Sequence, residues 1–174
     1  MDFHQLLIDR RSIRRYTADP ISAEDVKILI EAALLSPSSK SSRAWQLVAV
    51  EDKETLLRLA ECKPAGAVPL KNCPLAIVVA EDTTACDAWI EDGSVAATSI
   101  LYQAAALGLG ACWVQLRGRF SHDGTPSEQF VQEVLGIPEQ IVPLCIITVG
   151  HKDEDRKPQN VDALKWENVH VDRW

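Results

Sequence analysis

The alternation of apolar and polar positions is dominated by one stretch, Asp92 to Val114 (DGSVAATSILYQAAALGLGACWV), after which the next charged residue is Arg117. A helix that is apolar on every side belongs in a core, a subunit interface or a membrane. The small residues Ala96, Ala97, Ala104, Ala105 and Ala106 would let another backbone come close. Asp92 suits the positive end of the helix dipole, and Gly108 suits a C-terminal stop, with Leu109 to Val114 leaving as a strand. About 20 uncharged residues would also span a bilayer. Against that, Gly108 and Gly110 interrupt the run, its flanks are not rich in Lys or Arg, and no second such segment exists. The pattern predicts a buried central helix and no membrane span.

The remaining elements follow from the same periodicities. Asp2 to Asp9 places Phe3, Leu6 and Leu7 on one helical face, and Asp19-Pro20 breaks the chain. Ser22-Ala-Glu-Asp25 resembles a capping box, followed by Val26, Leu29, Ile30 and Ala33 at helical spacing up to Ser36-Pro37. Gln46 to Val50 reads as a short strand, Lys53 to Cys62 as an amphipathic helix, and Leu75 to Ala80 as a strand buried on both faces. Ala111 to Leu116 is a third strand. Thr125-Pro-Ser-Glu128 carries a cap, a first-turn proline and an acidic third position, so a helix is predicted from there to Gly136. Ile141 to Val149 is the fourth strand. From Gly150 the chain turns charged and loses periodicity, yet Trp166 and Trp174 imply that this tail docks on its own body or on a partner. Strands alternating with helices indicate a central sheet with helices on its faces.

Length and charge narrow the function classes. The 174 residues suit one domain with a sizeable core, 1–174, and carry a net charge of −7. An acidic chain lacks the basic face that nucleic-acid binding requires. Five scattered cysteines form no CxxC pair and four dispersed histidines have no metal-site spacing, so neither a disulfide framework nor a metal centre is expected. The N-terminal residues lack the apolar stretch of a signal peptide, which points to the reducing cytoplasm.

Three polar clusters interrupt the apolar scaffold. In Arg10-Arg11-Ser12-Ile13-Arg14-Arg15, guanidinium forks suited to bidentate phosphate binding sit beside a hydroxyl; taken alone the cluster also reads as a solvated basic turn. Pro37-Ser38-Ser39-Lys40-Ser41-Ser42-Arg43 offers hydroxyls and amides to a ligand edge, or is an ordinary helix-to-strand loop. Arg156-Lys157-Pro158 lies in the charged tail. Gly108-Leu-Gly110 is no dinucleotide fingerprint, because it closes a helix instead of opening one and Trp113 takes the place of the third glycine. No phosphate-binding GxxxxGK[ST] loop occurs.

Taken together, these stretches resemble the nitroreductase family of FMN-dependent oxidoreductases, from Phe3 to Trp174. Arg10 to Tyr16 is similar to the family's flavin-phosphate motif, and Pro37 to Trp45 to its Pro-Ser-x-x-Asn-x-Gln-Pro-Trp pattern. Glu91-Asp92 with the small-residue helix and Gly108 to Trp113 resembles its central helix and exit. Gly150-His151, Arg156-Lys157-Pro158 and Asp172-Arg173-Trp174 resemble its C-terminal arm.

The resemblance implies an α+β nitroreductase-like fold: a four- to five-stranded mixed sheet flanked by helices, a long buried central helix, and an arm over 151–174 that docks on the partner of a homodimer. It implies FMN as cofactor, its phosphate contacted by Arg10 and Ser12 with Arg11 beside them. Arg14 would stand near the flavin N1/O2 edge, Ser38, Ser39 and Ser41 near the ribityl chain and ring, and Arg156 or Lys157 would reach the phosphate from the tail. A fixed cation at that edge would stabilise the charge of reduced flavin. The implied activity is hydride transfer from NAD(P)H through flavin N5 to a nitroaromatic, quinone or similar acceptor by a ping-pong mechanism, with no side chain as nucleophile or base. FMN storage or delivery with little turnover is the alternative. Ser41, Arg43 and Ala44 depart from the family's Asn, Gln and Pro, and Arg43 would add a cation that favours anionic substrates or simply faces solvent. The segment between Val114 and Ser127 is too short for the covering helices of larger members, so an open flavin face is expected.

Overall fold

The computed structural model describes residues 2–174. Helices α1 (Phe3–Asp9) and α2 (Ala23–Leu34) precede β1 (Trp45–Val50), α3 (Lys53–Leu59) and β2 (Leu75–Asp82). The central helix α4 (Trp89–Ala106), β3 (Gly110–Gln115), α5 (Ser127–Leu135) and β4 (Ile141–Gly150) follow. The sheet has four strands in the order β1-β2-β4-β3.

Every ladder is antiparallel. The expected mixed sheet is corrected accordingly: among the described residues the one parallel pairing is the isolated bridge Ser12–Ala111. Helices cover both faces, and that alone explains the unbroken apolar runs of β2 and β4. Ala76, Val78 and Ile146 pack with Leu56, Leu59 and Val131 on one side. Leu75, Ile77, Val79 and Ile147 pack with Leu29, Ala33 and the inner face of α4 on the other. Burial on both faces is typical of parallel sheets but does not require one.

Helix α4 buries only one side. Gly93, Ala96, Ala97, Ile100 and Ala104 face the sheet, as does Asp92. Small residues are needed there: a Cβ on Gly93 would stand 2.8 Å from Leu144 Cδ2. The opposite face, with Val95, Thr98 and Ala106, is exposed in the single chain. The expected burial on every side is thus half met, and no helix among the described residues is long and apolar enough to cross a membrane. The helix begins at Trp89, three residues upstream of Asp92, so Asp92 lies in its first turn with Glu91, as its place at the positive end of the dipole requires.

Local signals were met unevenly. The Ser22 hydroxyl accepts from the Asp25 amide at 3.0 Å, as a capping residue should. Helix α5 departs from its predicted cap, starting after Pro126 with no side-chain cap. The Ser127 hydroxyl donates instead to the Cys62 carbonyl at 2.6 Å, and Glu128 accepts from the Gly118 amide. Tertiary partners outcompeted the local cap. Past β4, the arm stays beside the N-terminal segment, with the Gln159 amide donating to the Ile8 carbonyl at 2.8 Å. Beyond it, Trp166 and Trp174 are 70% and 100% exposed. The first part of the tail therefore docks on its own body, while its tryptophan-bearing end does not.

Candidate active site

The N-terminal cations are held by backbone pairing to the sheet edge. The Ile13 amide donates to the Ala111 carbonyl at 3.0 Å, extending the Ser12–Ala111 bridge. Ile13 packs against Gly110, where a Cβ would lie 2.6 Å from Ile13 Cγ2. Three residues on, the buried Tyr16 hydroxyl donates to the Ile13 carbonyl at 2.5 Å and shares a 2.8 Å hydrogen bond with Thr148 Oγ1. Its ring fills the space a Cβ on Gly150 would need. Burial pushes the Tyr16 hydroxyl well above its ordinary range, so it remains a neutral anchor.

Arg10 and Arg11 wall a cavity of about 270 Å³ at the C-terminal end of α4, together with Gly108, Glu154 and Arg156. The Arg10 guanidinium lies 5.8 Å from the centroid of the Tyr102 ring. Arg11 Nη1 donates to the Lys157 carbonyl. Arg156 bonds Glu154 at 2.9 Å, and the same carboxylate accepts from the Arg14 amide at 2.5 Å. These contacts hold Glu154 below the usual carboxylate range, the Arg14 amide first and the Arg156 charge after it. Glu154 thereby ties the arm to the cationic segment.

Among the candidates in this region, Arg156 lines the cavity while Lys157 offers only its carbonyl. Ser12 is half-buried on the sheet edge. Arg14 is exposed and does not line the cavity. Its guanidinium opposes the upward push of burial on the Cys112 thiol.

The serine loop lies at the other end of α4, about 20 Å away if the axial rise is taken between Asp92 and Ala105. Ser39–Ser41 form a 3₁₀ turn, and Lys40, Ser41 and Arg43 adopt left-handed φ of 52°, 53° and 49°. Such backbone costs non-glycine residues about 1–2 kcal/mol each and needs outside support. Asp92 supplies some: its carboxylate accepts from the Ser39 amide at 2.8 and 3.0 Å and from the Ser42 hydroxyl at 3.1 Å. Ser38 Oγ accepts from the Arg43 amide at 3.1 Å, while Ser41 and Arg43 are exposed. Beneath Asp92 lies Glu81, fully buried, with both carboxyl oxygens lacking a hydrogen-bond partner among the described residues. Burial, reinforced by the Asp92 charge, pushes it up to about 8.

Between the two ends runs an apolar cavity of about 560 Å³ along the exposed side of α4, lined by Phe3, Val95, Thr98, Tyr102 and Ala106 among others. Sequence reasoning missed Glu81, Asp92 as a loop anchor, Tyr16 and Glu154. The signal for the first was available: Glu81 is a charged residue closing an otherwise apolar strand.

Comparison with known proteins agrees with this architecture. The model of the Nitroreductase family matches residues 7–64 and 63–151. A structure described as an FMN-dependent nitroreductase from Clostridium difficile R20291 superposes with a TM-score of 0.95 at 41% identity, covering 97% of this chain and 98% of that one. A provisionally named NADH dehydrogenase/NAD(P)H nitroreductase of Archaeoglobus fulgidus is 33% identical over 175 residues, 98% of this chain and 97% of the relative. An FMN reductase [NAD(P)H] of Bacillus subtilis is 29% identical over 83% of this chain and 64% of its own length. With its helix-covered sheet, its central small-residue helix and these matches, the chain belongs to the nitroreductase family.

Proposed function

We propose that the chain is an FMN-dependent oxidoreductase that takes hydride from NAD(P)H and delivers it to a nitroaromatic, quinone or similar acceptor in a ping-pong cycle. The observation that carries this reading is the cavity walled by Arg10, Arg11 and Arg156. Among the described residues Arg10 has no carboxylate partner within 4 Å. A phosphate dianion suits such a donor set, since guanidinium forks bind it in bidentate fashion. The names of the Clostridium difficile and Bacillus subtilis relatives point to the same cofactor.

Bound FMN would supply the redox chemistry itself. Arg10, Arg11, Ser12 and Arg156 would hold its phosphate, with the Lys157 carbonyl orienting the Arg11 guanidinium. Arg14 would place positive charge at the pyrimidine edge. Ser38, Ser39 and Ser41 would bind the ribityl chain and ring with their hydroxyls. Arg43, exposed on the serine loop, would raise the local concentration of anionic acceptors.

The two clusters stand at opposite ends of α4, and the face between them is apolar and exposed. A homodimer packed through that face would bring one copy's serine loop toward its partner's arginines. The exposed Val161, Leu164, Trp166 and Val171 of the arm would find cover on the same partner. The five cysteines, all free and buried, suit a reducing compartment such as the cytoplasm.

The test is the visible spectrum of the purified protein before and after NAD(P)H. A flavin spectrum that bleaches and returns on adding a quinone supports the reading. A flavin that binds but does not bleach would instead mark a protein that stores or delivers FMN.

A further inference from the structure

We propose that Asp92 is a positioning residue for the flavin loop: without touching the cofactor, it holds Ser38–Arg43 in the conformation that FMN requires. The inference rests on the FMN reading above and assigns the loop's shape to one buried side chain.

The geometry carries it. Asp92 is 5% exposed on the inner face of α4. Its two oxygens collect the Ser39 amide, the Ser42 hydroxyl at 3.1 Å and the Cys86 thiol at 3.3 Å. All these donors come from outside the helix; the loop residues are fifty or more positions away in sequence. A helix-dipole role would need none of them. The Ser41 amide to Ser38 carbonyl, Ser42 amide to Ser39 carbonyl and Arg43 amide to Ser38 Oγ bonds lie within the loop and cannot fix where it stands. The Lys40–Asp87 pair at 3.5 Å lies at the surface, where such pairs contribute little. Asp92 is thus the buried tether for a segment with three left-handed non-glycine residues.

The floor beneath Asp92 points the same way. Gly93, the next residue, is closely packed: a Cβ there would stand 2.8 Å from Leu144 Cδ2 and 3.3 Å from both Cγ and Oε1 of Glu81. Helix α4 is therefore seated directly over the Glu81 carboxyl, which limits where Asp92 can move. An ionised Asp92 makes charge-assisted hydrogen bonds, roughly twice as strong as neutral ones. An amide of the same shape keeps the packing and loses that strength.

The experiment titrates apoprotein with FMN and with riboflavin, following quenching of flavin fluorescence, for the parent and for Asp92→Asn, Ser42→Ala and Arg10→Ala. Far-UV circular dichroism melts of each apoprotein run alongside. Because Asp92 acts on the ring and ribityl end, Asp92→Asn should weaken both ligands by the same factor, about 10-fold, and Ser42→Ala both by about 3-fold. Arg10→Ala should weaken FMN alone. The proposal is overturned if Asp92→Asn binds both flavins as the parent does, or if its loss matches a loss of folded protein. It is also overturned if the factor for FMN greatly exceeds that for riboflavin. A parent that binds neither flavin would instead defeat the FMN reading, and this proposal with it.

Discussion

At the residue scale, the site depends on charges left without an opposite partner. Arg10 lies against Tyr102 with no carboxylate partner among the described residues, leaving its guanidinium available to an anion. Removing it by Arg10→Ala should weaken FMN binding by about 1.5–3 kcal/mol, the range for a lost charged hydrogen bond. Riboflavin, which has no phosphate, should bind the parent poorly; equal affinity for the two would take the basic cluster out of the site. Glu81 is the opposite case, a carboxyl with nothing to pair with. Its ordinary value of 4.5 applies to the unfolded chain and about 8 to the folded one. Below pH 4.5 it is protonated in both states and costs nothing. As pH rises through 8, unfolding increasingly releases its proton and stability falls. Glu81→Gln should therefore gain over the parent across that window and level off above it, as read by urea midpoints at several pH values. A constant difference from pH 5 to 9 would mean that Glu81 does not titrate with folding.

At the element scale, short contacts decide whether segments reach their places. The cationic segment 10–16 is not a strand of the four-stranded ladder; it is held by the Ile13–Ala111 bond, by Tyr16 and by the closeness that Gly110 and Gly150 permit. Gly110→Ala would place a Cβ 2.6 Å from Ile13, so the segment should lift from the sheet. The expected outcome is loss of FMN binding far out of proportion to any drop in melting temperature. Unchanged flavin affinity would show that Arg10 and Ser12 are positioned some other way. Ser127 makes a comparable point for α5. Its hydroxyl satisfies the Cys62 carbonyl in a buried place, and Ser127→Ala should cost about 1–3 kcal/mol by leaving that acceptor unpaired.

At the scale of the whole molecule, two apolar surfaces lack cover within one chain: the outer face of α4 and the end of the arm. Exposed contiguous apolar surface of this kind marks an interaction site. The protein should be an obligate dimer, and truncation after Gly150 should lose dimer stability and flavin together, since Arg156 and the Glu154 tether go with the arm. Light scattering that finds a folded, flavin-bound monomer at micromolar concentration would contradict this.

Much of this architecture was legible in the order of residues alone. Apolar periodicity placed all five helices and four strands to within a few residues, because the side chains at those positions must leave water whatever lies opposite. The Arg10–Arg15 and Ser38–Arg43 clusters stood out because they break that pattern, and in their family context they pointed to a flavin. Strand direction was not legible: a strand covered on both faces shows the same unbroken run in either orientation. Nor was the exposed side of α4, since alanine and valine suit a core and an interface equally. Asp92 read as a helix-dipole charge, and the pattern assigned no role to Glu81 or Glu154. Their roles depend on partners fifty to a hundred and forty positions away or on burial beneath another element. Such contacts exist only once the chain has folded, so the tertiary structure alone decided them.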